Sequence, residues 1–310
     1  MGEWSKKLGE HGEDIVEALM DLIGWKSPLK GTDLDCVKPT IHGSSDKPRR
    51  THGVDFIFSC ISPLEDNVLK HLLISSKFKA DPYPPSPTNT FKDYFIDLAM
   101  ALECFKRSSK RRQINSGYQQ VSSDSISGVL FWLSGTDDTN ADIVQKIANA
   151  RGLDDFAYGT IYVIDNYRAS FLFDSISHVN GKYGTNNVKF VYPSTGKNIS
   201  ATSRITTGKV LPPEFINSGI IPFYANVSGQ KTLIICCQDA FNEDAFRRLI
   251  GFSITIALEF PDKISLAFPD YDFVKHKEIV DITKLTLADK EFASIVEVSS
   301  YQKDFRGIAE

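Results

Sequence analysis

Three short stretches hold side chains whose types and order could do chemistry. Gly12-Glu13-Asp14-Ile15-Val16 reads as the opening of a helix that ends in Ile23-Gly24-Trp25. Gly53-Val54-Asp55-Phe56-Ile57 reads as an apolar strand holding one carboxylate. Leu73-Ile74-Ser75-Ser76-Lys77 reads as a second strand that ends on a lysine. The order is helical carboxylate, strand carboxylate, strand lysine, with 22 residues from Asp55 to Lys77. Carboxylates are hard oxygen donors and an ammonium is a compact positive charge, so the set suits a divalent cation and an anionic substrate. Each residue also has a plainer reading. Glu13 suits the first turn of a helix through the helix dipole. Asp55 could pair with Arg49, Arg50 or Lys77, because a buried carboxylate needs a partner. Lys77 could be an ordinary strand-end lysine.

The elements that must position these residues follow from periodicity. Ile15, Val16, Leu19, Leu22 and Ile23 share one helical face, and Gly24 stops the helix. Lys26 to His52 is rich in Gly, Pro, Ser and charge and reads as a long loop with room for one short strand. The strands at 53–58 and 71–78 flank a turn at Pro63–Asn67 and so suit a hairpin. The four prolines in Asp81–Thr88 exclude regular structure, and a helix is expected over Phe91–Arg107. Gly128–Leu133 and Thr160–Ile164 are apolar runs typical of strands covered on both faces. Helices are expected at Asp142–Ala150 and near Arg168–His178, and a strand near Val188–Tyr192. Strand–helix alternation of this kind argues for an α/β fold with a mixed sheet. Residues 193–213, rich in Ser, Thr, Gly and Pro, are the expected linker between domains at 1–192 and 214–310. Beyond it, strands at Ile220–Val227 and Thr232–Cys237 suit a hairpin around Ser228-Gly229, followed by a helix over Asn242–Glu259 and a strand at Ile264–Phe268. Whether this C-terminal α/β part is a second domain or extends the first sheet is left open.

Composition narrows the classes. The 310 residues are 42% hydrophobic and 24% charged with net charge -4, as in soluble globular proteins. No apolar run approaches the roughly 18 residues of a membrane helix, and Met1–Gly12 is too polar for a secretory signal. Cys36, Cys60, Cys104, Cys236 and Cys237 form no CxxC pair and no metal-ligand spacing, so they read as reduced thiols in a cytosol. The six histidines show no HExxH spacing, and no zinc site is expected. GxxxxGK[ST] and GxSxG are both missing, which excludes a P-loop NTPase and a hydrolase nucleophile elbow. Residues 1–112 carry net charge +1 and residues 113–310 carry -5, so a polyanion is more at home on the first half.

Taken together, the three stretches resemble the PD-(D/E)XK nuclease superfamily over roughly residues 10–165. Glu13 stands about three turns before the Gly24-Trp25 pair, as in resolvase-like members. The resemblance implies a restriction-endonuclease-like mixed sheet flanked by helices, with a metal site where two strands diverge. It implies Glu13 and Asp55 as ligands of Mg²⁺ or Mn²⁺, and Lys77 as the group that orients or helps deprotonate the attacking water. Ser75 stands where the family usually has Glu or Asp, a departure that removes one ligand charge. The compensating carboxylate is expected from Asp97 or Asp93, with Asp93 also suited to a capping box with Thr90. Met1-Gly2-Glu3-Trp4-Ser5-Lys6-Lys7, Thr51-His52-Gly53-Val54-Asp55-Phe56 and Ile74-Ser75-Ser76-Lys77-Phe78 look like the nuclease-like subunit of GAPS-type two-gene anti-phage defence pairs. That likeness implies DNA as target, a second protein subunit in a cytoplasmic hetero-oligomer, and no membrane. Lys79, Lys106, Arg107, Lys110, Arg111 and Arg112 are the expected DNA-binding cations. The run 106–112 also has a plainer reading as the solvated end of a helix. A catalytically degenerate DNA-binding or regulatory subunit on the same fold is the alternative function.

Overall fold

The first helix, α1 (Glu3–Leu22), starts well before Gly12. Its early turns are polar and carry the exposed pairs Lys7–Glu3 and Lys6–Glu10, one helical turn apart. Glu13 therefore sits in mid-helix, and the first-turn dipole reading does not apply to it. The helix ends as expected: Gly24 takes φ 82°, and the Trp25 N–H donates to Met20 O at 2.8 Å. This computed structural model describes residues 3–136, 141–153, 156–200, 204–257 and 261–302. Two compact units divide the chain, Met1–Ser170 and Phe171–Glu310.

In the first unit, β1 (Leu29–Asp35) and the short α2 (Pro39–His42) occupy the stretch that reads as loop. β2 (Thr51–Ile61) and β3 (Val68–Lys79) form the expected hairpin. α3 (Thr88–Phe105) begins after Pro87, two residues before Thr90, so Thr90 is not the cap and the capping box with Asp93 does not form. The basic run is split between two helices: Lys106 is the C-cap of α3, and Lys110, Arg111 and Arg112 lie in a separate helix, α4 (Ser109–Asn115), capped by Ser108, whose hydroxyl accepts from the Arg111 N–H. β4 (Ser123–Ser134), α5 (Val144–Ile147), β5 (Ile161–Ile164) and α6 (Asn166–Tyr183) follow, with α6 crossing the division. The sheet runs β1-β2-β3-β4-β5, antiparallel through β3 and parallel beyond it. α3 seals one region of core, with Phe95, Leu98, Leu102 and Phe105 clustered with Leu73, Leu130 and Trp132. Each such large buried side chain contributes about 2 kcal/mol by leaving water. α1 packs on β3, and Trp25 stacks on Phe58 with centroids 5.5 Å apart.

The second unit has its own sheet, β11-β10-β9-β8-β6-β7. Its strands are β6 (Val188–Val191), β7 (Thr207–Gly208), β8 (Ile220–Val227), β9 (Gln230–Cys237), β10 (Lys263–Phe268) and β11 (Val296–Ser300). β8 and β9 pair around Ser228 and Gly229, both at positive φ, as a tight hairpin requires. α7 (Glu243–Ile256) is the crossover to parallel β10, and α8 (Phe273–Thr286) with α9 (Lys290–Ile295) the crossover to β11. The segment 193–213 is not a boundary in this structure. β7 inside it pairs with β6, and the Tyr192 hydroxyl donates to Val210 O at 2.7 Å. Its Ser, Thr, Gly and Pro content belongs to a long connection within the unit. Among the described residues, no helix is long and apolar enough to cross a membrane.

Candidate active site

Asp55 stands at the point where β2 and β3 part. Their ladder runs from Ile61 opposite Leu69 to Phe56 opposite Ile74 and stops there. Beyond it β2 follows β1, with Val54 opposite Thr32. β3 follows β4, with Ser75 opposite Leu130 and Lys77 opposite Trp132. At the fork the Ser76 N–H donates to Asp55 Oδ2 at 2.6 Å. The carboxylate thus takes the place of a ladder carbonyl, and a charge-assisted bond to rigid backbone fixes it.

Gly12 brings the second carboxylate near. A Cβ at Gly12 would lie 2.3 Å from Phe78 Cβ, so only glycine lets α1 approach β3 this closely. Glu13 is the next residue. Its carboxyl is pushed above the usual carboxylate range, first by loss of solvent and second by the charge of Asp55. Lys30, ion-paired to Glu17 on the same helix, pulls the other way. Two carboxylates that repel one another are relieved by a divalent cation, and both offer the hard oxygen that Mg²⁺ and Mn²⁺ prefer. The donor set fits such an ion.

The other expected site residues are placed less simply. Ser75 is buried, and alternation along β3 puts it and Lys77 on one face. The Lys77 ammonium lies 5.6 Å from the centre of the Tyr94 ring on α3, and among the described residues it makes no ion pair with Asp55 or Glu13. Asp97, the expected third metal ligand, is ion-paired with Arg49 at 2.6 Å. Asp93 is exposed.

The basic run divides. Arg111 is not a free DNA-binding cation: it donates twice to Asp124 at 2.6 Å and once to Lys106 O. This pair holds the Asp124 carboxyl far below the usual range, and Asp124 also meets Asn115 and the buried His71. Burial in turn lowers the His71 pKa. Lys106 binds Ala157 O, Lys110 binds Gln113 Oε1 and Arg112 binds Arg107 O. Lys79, Arg107 and Arg112 are exposed.

A further group escaped sequence reasoning. Cys36, His42, His52 and Cys104 converge, with one potential ligand atom from each within 4.8 Å of all the others. The sequence, read as scattered thiols and histidines with no zinc site, gives no sign that these four side chains meet. Their separation in sequence matches no short ligand motif, and only the fold joins them.

A mixed sheet flanked by helices, with a carboxylate where two strands diverge, defines a nuclease-type domain of the PD-(D/E)XK class. The family model of the GAPS4 protein PD-(D/E)XK nuclease domain matches residues 1–168, more than half of the chain, and the chain belongs to that family. No curated protein matches it. The matched stretch ends almost where the first compact unit ends.

Proposed function

We propose that the first unit hydrolyses DNA phosphodiester bonds with a divalent cation, as the nuclease subunit of a cytoplasmic two-protein anti-phage complex. The observation that carries this is the Asp55 carboxylate at the strand fork, coupled to Glu13. These two residues would hold Mg²⁺ or Mn²⁺, which when bound neutralises phosphate charge and makes a water easier to deprotonate. Asp55, pinned by the Ser76 N–H, gives the ion a fixed seat. Glu13 is exposed and brings the second charge from α1. Lys77, on a flexible stem, moves from the Tyr94 ring toward the phosphate. There it orients the attacking water and offsets the developing charge. Ser75 supplies a hydroxyl where a third charge is usual, so a bound cation would depend more on the substrate phosphate. Lys79, Arg107, Lys110 and Arg112, with Lys106, hold the DNA backbone.

A second reading, a DNA-binding subunit without catalysis, draws on two observations: the serine at position 75 and the commitment of Asp97 to Arg49. The test is cleavage of supercoiled plasmid by the purified chain with its partner subunit, in Mg²⁺ or Mn²⁺. Cutting by the wild type that Asp55→Ala and Lys77→Ala abolish supports the nuclease reading. Equal cutting by Asp55→Ala excludes this site. DNA binding by every form, with no cutting by any, favours the second reading.

A further inference from the structure

We infer that Cys36, His42, His52 and Cys104 bind one structural zinc ion, at a site separate from the Asp55 fork. His42 Nδ1 lies 3.3 Å from Cys36 Sγ, 3.3 Å from His52 Nε2 and 3.4 Å from Cys104 Sγ. One ring nitrogen carries a single hydrogen or a single lone pair, so hydrogen bonding serves one of these contacts and leaves two unexplained. A cation at their centre serves all of them. A tetrahedron with Zn–N of about 2.0–2.1 Å and Zn–S of about 2.3 Å has edges of about 3.3 Å between nitrogens and about 3.5 Å between sulfur and nitrogen. The observed N···N edge is 3.3 Å, and Cys104 Sγ to His52 Nε2 is 3.4 Å.

The surroundings agree. The other nitrogen of His42, Nε2, donates to Glu103 Oε2 at 2.8 Å, and Lys38 holds the second Glu103 oxygen at 2.7 Å. A carboxylate behind a ligating histidine fixes its tautomer and raises its basicity. The Val37 N–H points at Cys104 Sγ at 3.4 Å. His42, His52 and Cys104 are buried, and protein supplies all four donors, which marks a closed, structural site. Two thiolates and two imidazoles select zinc over the hard ion suited to the fork. The site also answers a packing question. Across residues 35–51 the only buried residue is His42, so this stretch has no apolar anchor of its own. A metal would fasten it to β2 through His52 and to α3 through Cys104.

The test uses the full chain, purified without chelator. Elemental analysis should find about one zinc per chain, and X-ray absorption two sulfur and two nitrogen neighbours. Neither measurement needs a variant to fold. Replacement by Co²⁺ should give intense tetrahedral d–d bands with thiolate charge transfer. Cys36→Ser with Cys104→Ser should lose at least about nine-tenths of the zinc, while Asp55→Ala keeps it. Less than about 0.2 zinc per chain after reconstitution, a shell of oxygen and nitrogen only, or full zinc retention in the double variant would overturn the assignment.

Discussion

The Asp55 fork and the Cys36–His42–His52–Cys104 cluster share strand β2, yet they are built from opposite materials. The fork offers hard oxygens, one from a half-buried residue and one from an exposed residue. The cluster offers sulfur and imidazole, with three of its four residues buried. At the fork the carboxylates repel each other and a cation can enter and leave with its waters. In the cluster four protein donors lie within 4.8 Å of one another, and the proposed zinc would take all of them. Openness suits turnover and closure suits architecture. A strand that carries both can be anchored at one end while it works at the other.

Substitution can break or sharpen this contrast. The largest effect belongs to Asp55→Asn. The amide oxygen can still accept from the Ser76 N–H, so folding and zinc content should hold while DNA cleavage falls about 10³-fold. Retained cleavage, read on a defined duplex, would dissolve the contrast at once. Next comes Glu103→Gln, which removes the charge behind His42. Zinc affinity should fall by roughly 10–100-fold, measured by competition with a chromogenic chelator. An unchanged affinity would mean that Glu103 serves only Lys38. Gly12→Ala should cost about 1–2 kcal/mol in denaturant unfolding, since the new methyl must push α1 from Phe78 faster than helix propensity repays it. A stabilised variant would show that the close approach is not required.

The smallest expected effect separates a third polar group from both centres. Folding depresses the Asp124 pKa, so its stabilisation is complete above the ordinary carboxylate range and drains away as pH falls below it. Arg111→Gln should lower stability by about 1 kcal/mol at neutral pH and flatten the acid dependence. Chemical unfolding at several pH values reads both. DNA binding should keep its salt slope. A loss of about one unit would return Arg111 to the DNA face.

What the sequence made legible was local. The β2–β3 hairpin, the Gly24 stop and the Ser228-Gly229 turn rest on neighbours in the chain, and each is found as expected. The Glu13–Asp55 approach was legible through order and family likeness, although α1 begins earlier than its apolar stripe because its first turns are held by surface charge pairs. The cluster was not legible, because its ligands come from a loop, a short helix, a strand and a distant helix. Their donors look like scattered core residues until α3 lies against β2. The pairings of Arg111 and Asp97 were not legible for a related reason. A charged side chain reads the same in sequence whether it faces solvent or, as here, meets Asp124 and Arg49. The linker expected at 193–213 failed because turn-rich composition marks a connection without saying which elements it connects.

Twelve register pairs join β3 to β4 in parallel, with Lys77 opposite Trp132. A parallel pair cannot close through a hairpin, so α3 and α4 must be made between the two strands. The β2–β3 hairpin can form in about 1–10 μs once it is free of the ribosome. At about 5–20 residues per second, β4 follows only after several seconds of further synthesis. The order of assembly is thereby set. A nascent chain acquires the Asp55–Ser76 bond early, and the strand that seats Lys77 late. On the proposed function, the complete site would be assembled only once the first unit is nearly made, and an unfinished chain on the ribosome would be a poor nuclease by construction of its topology.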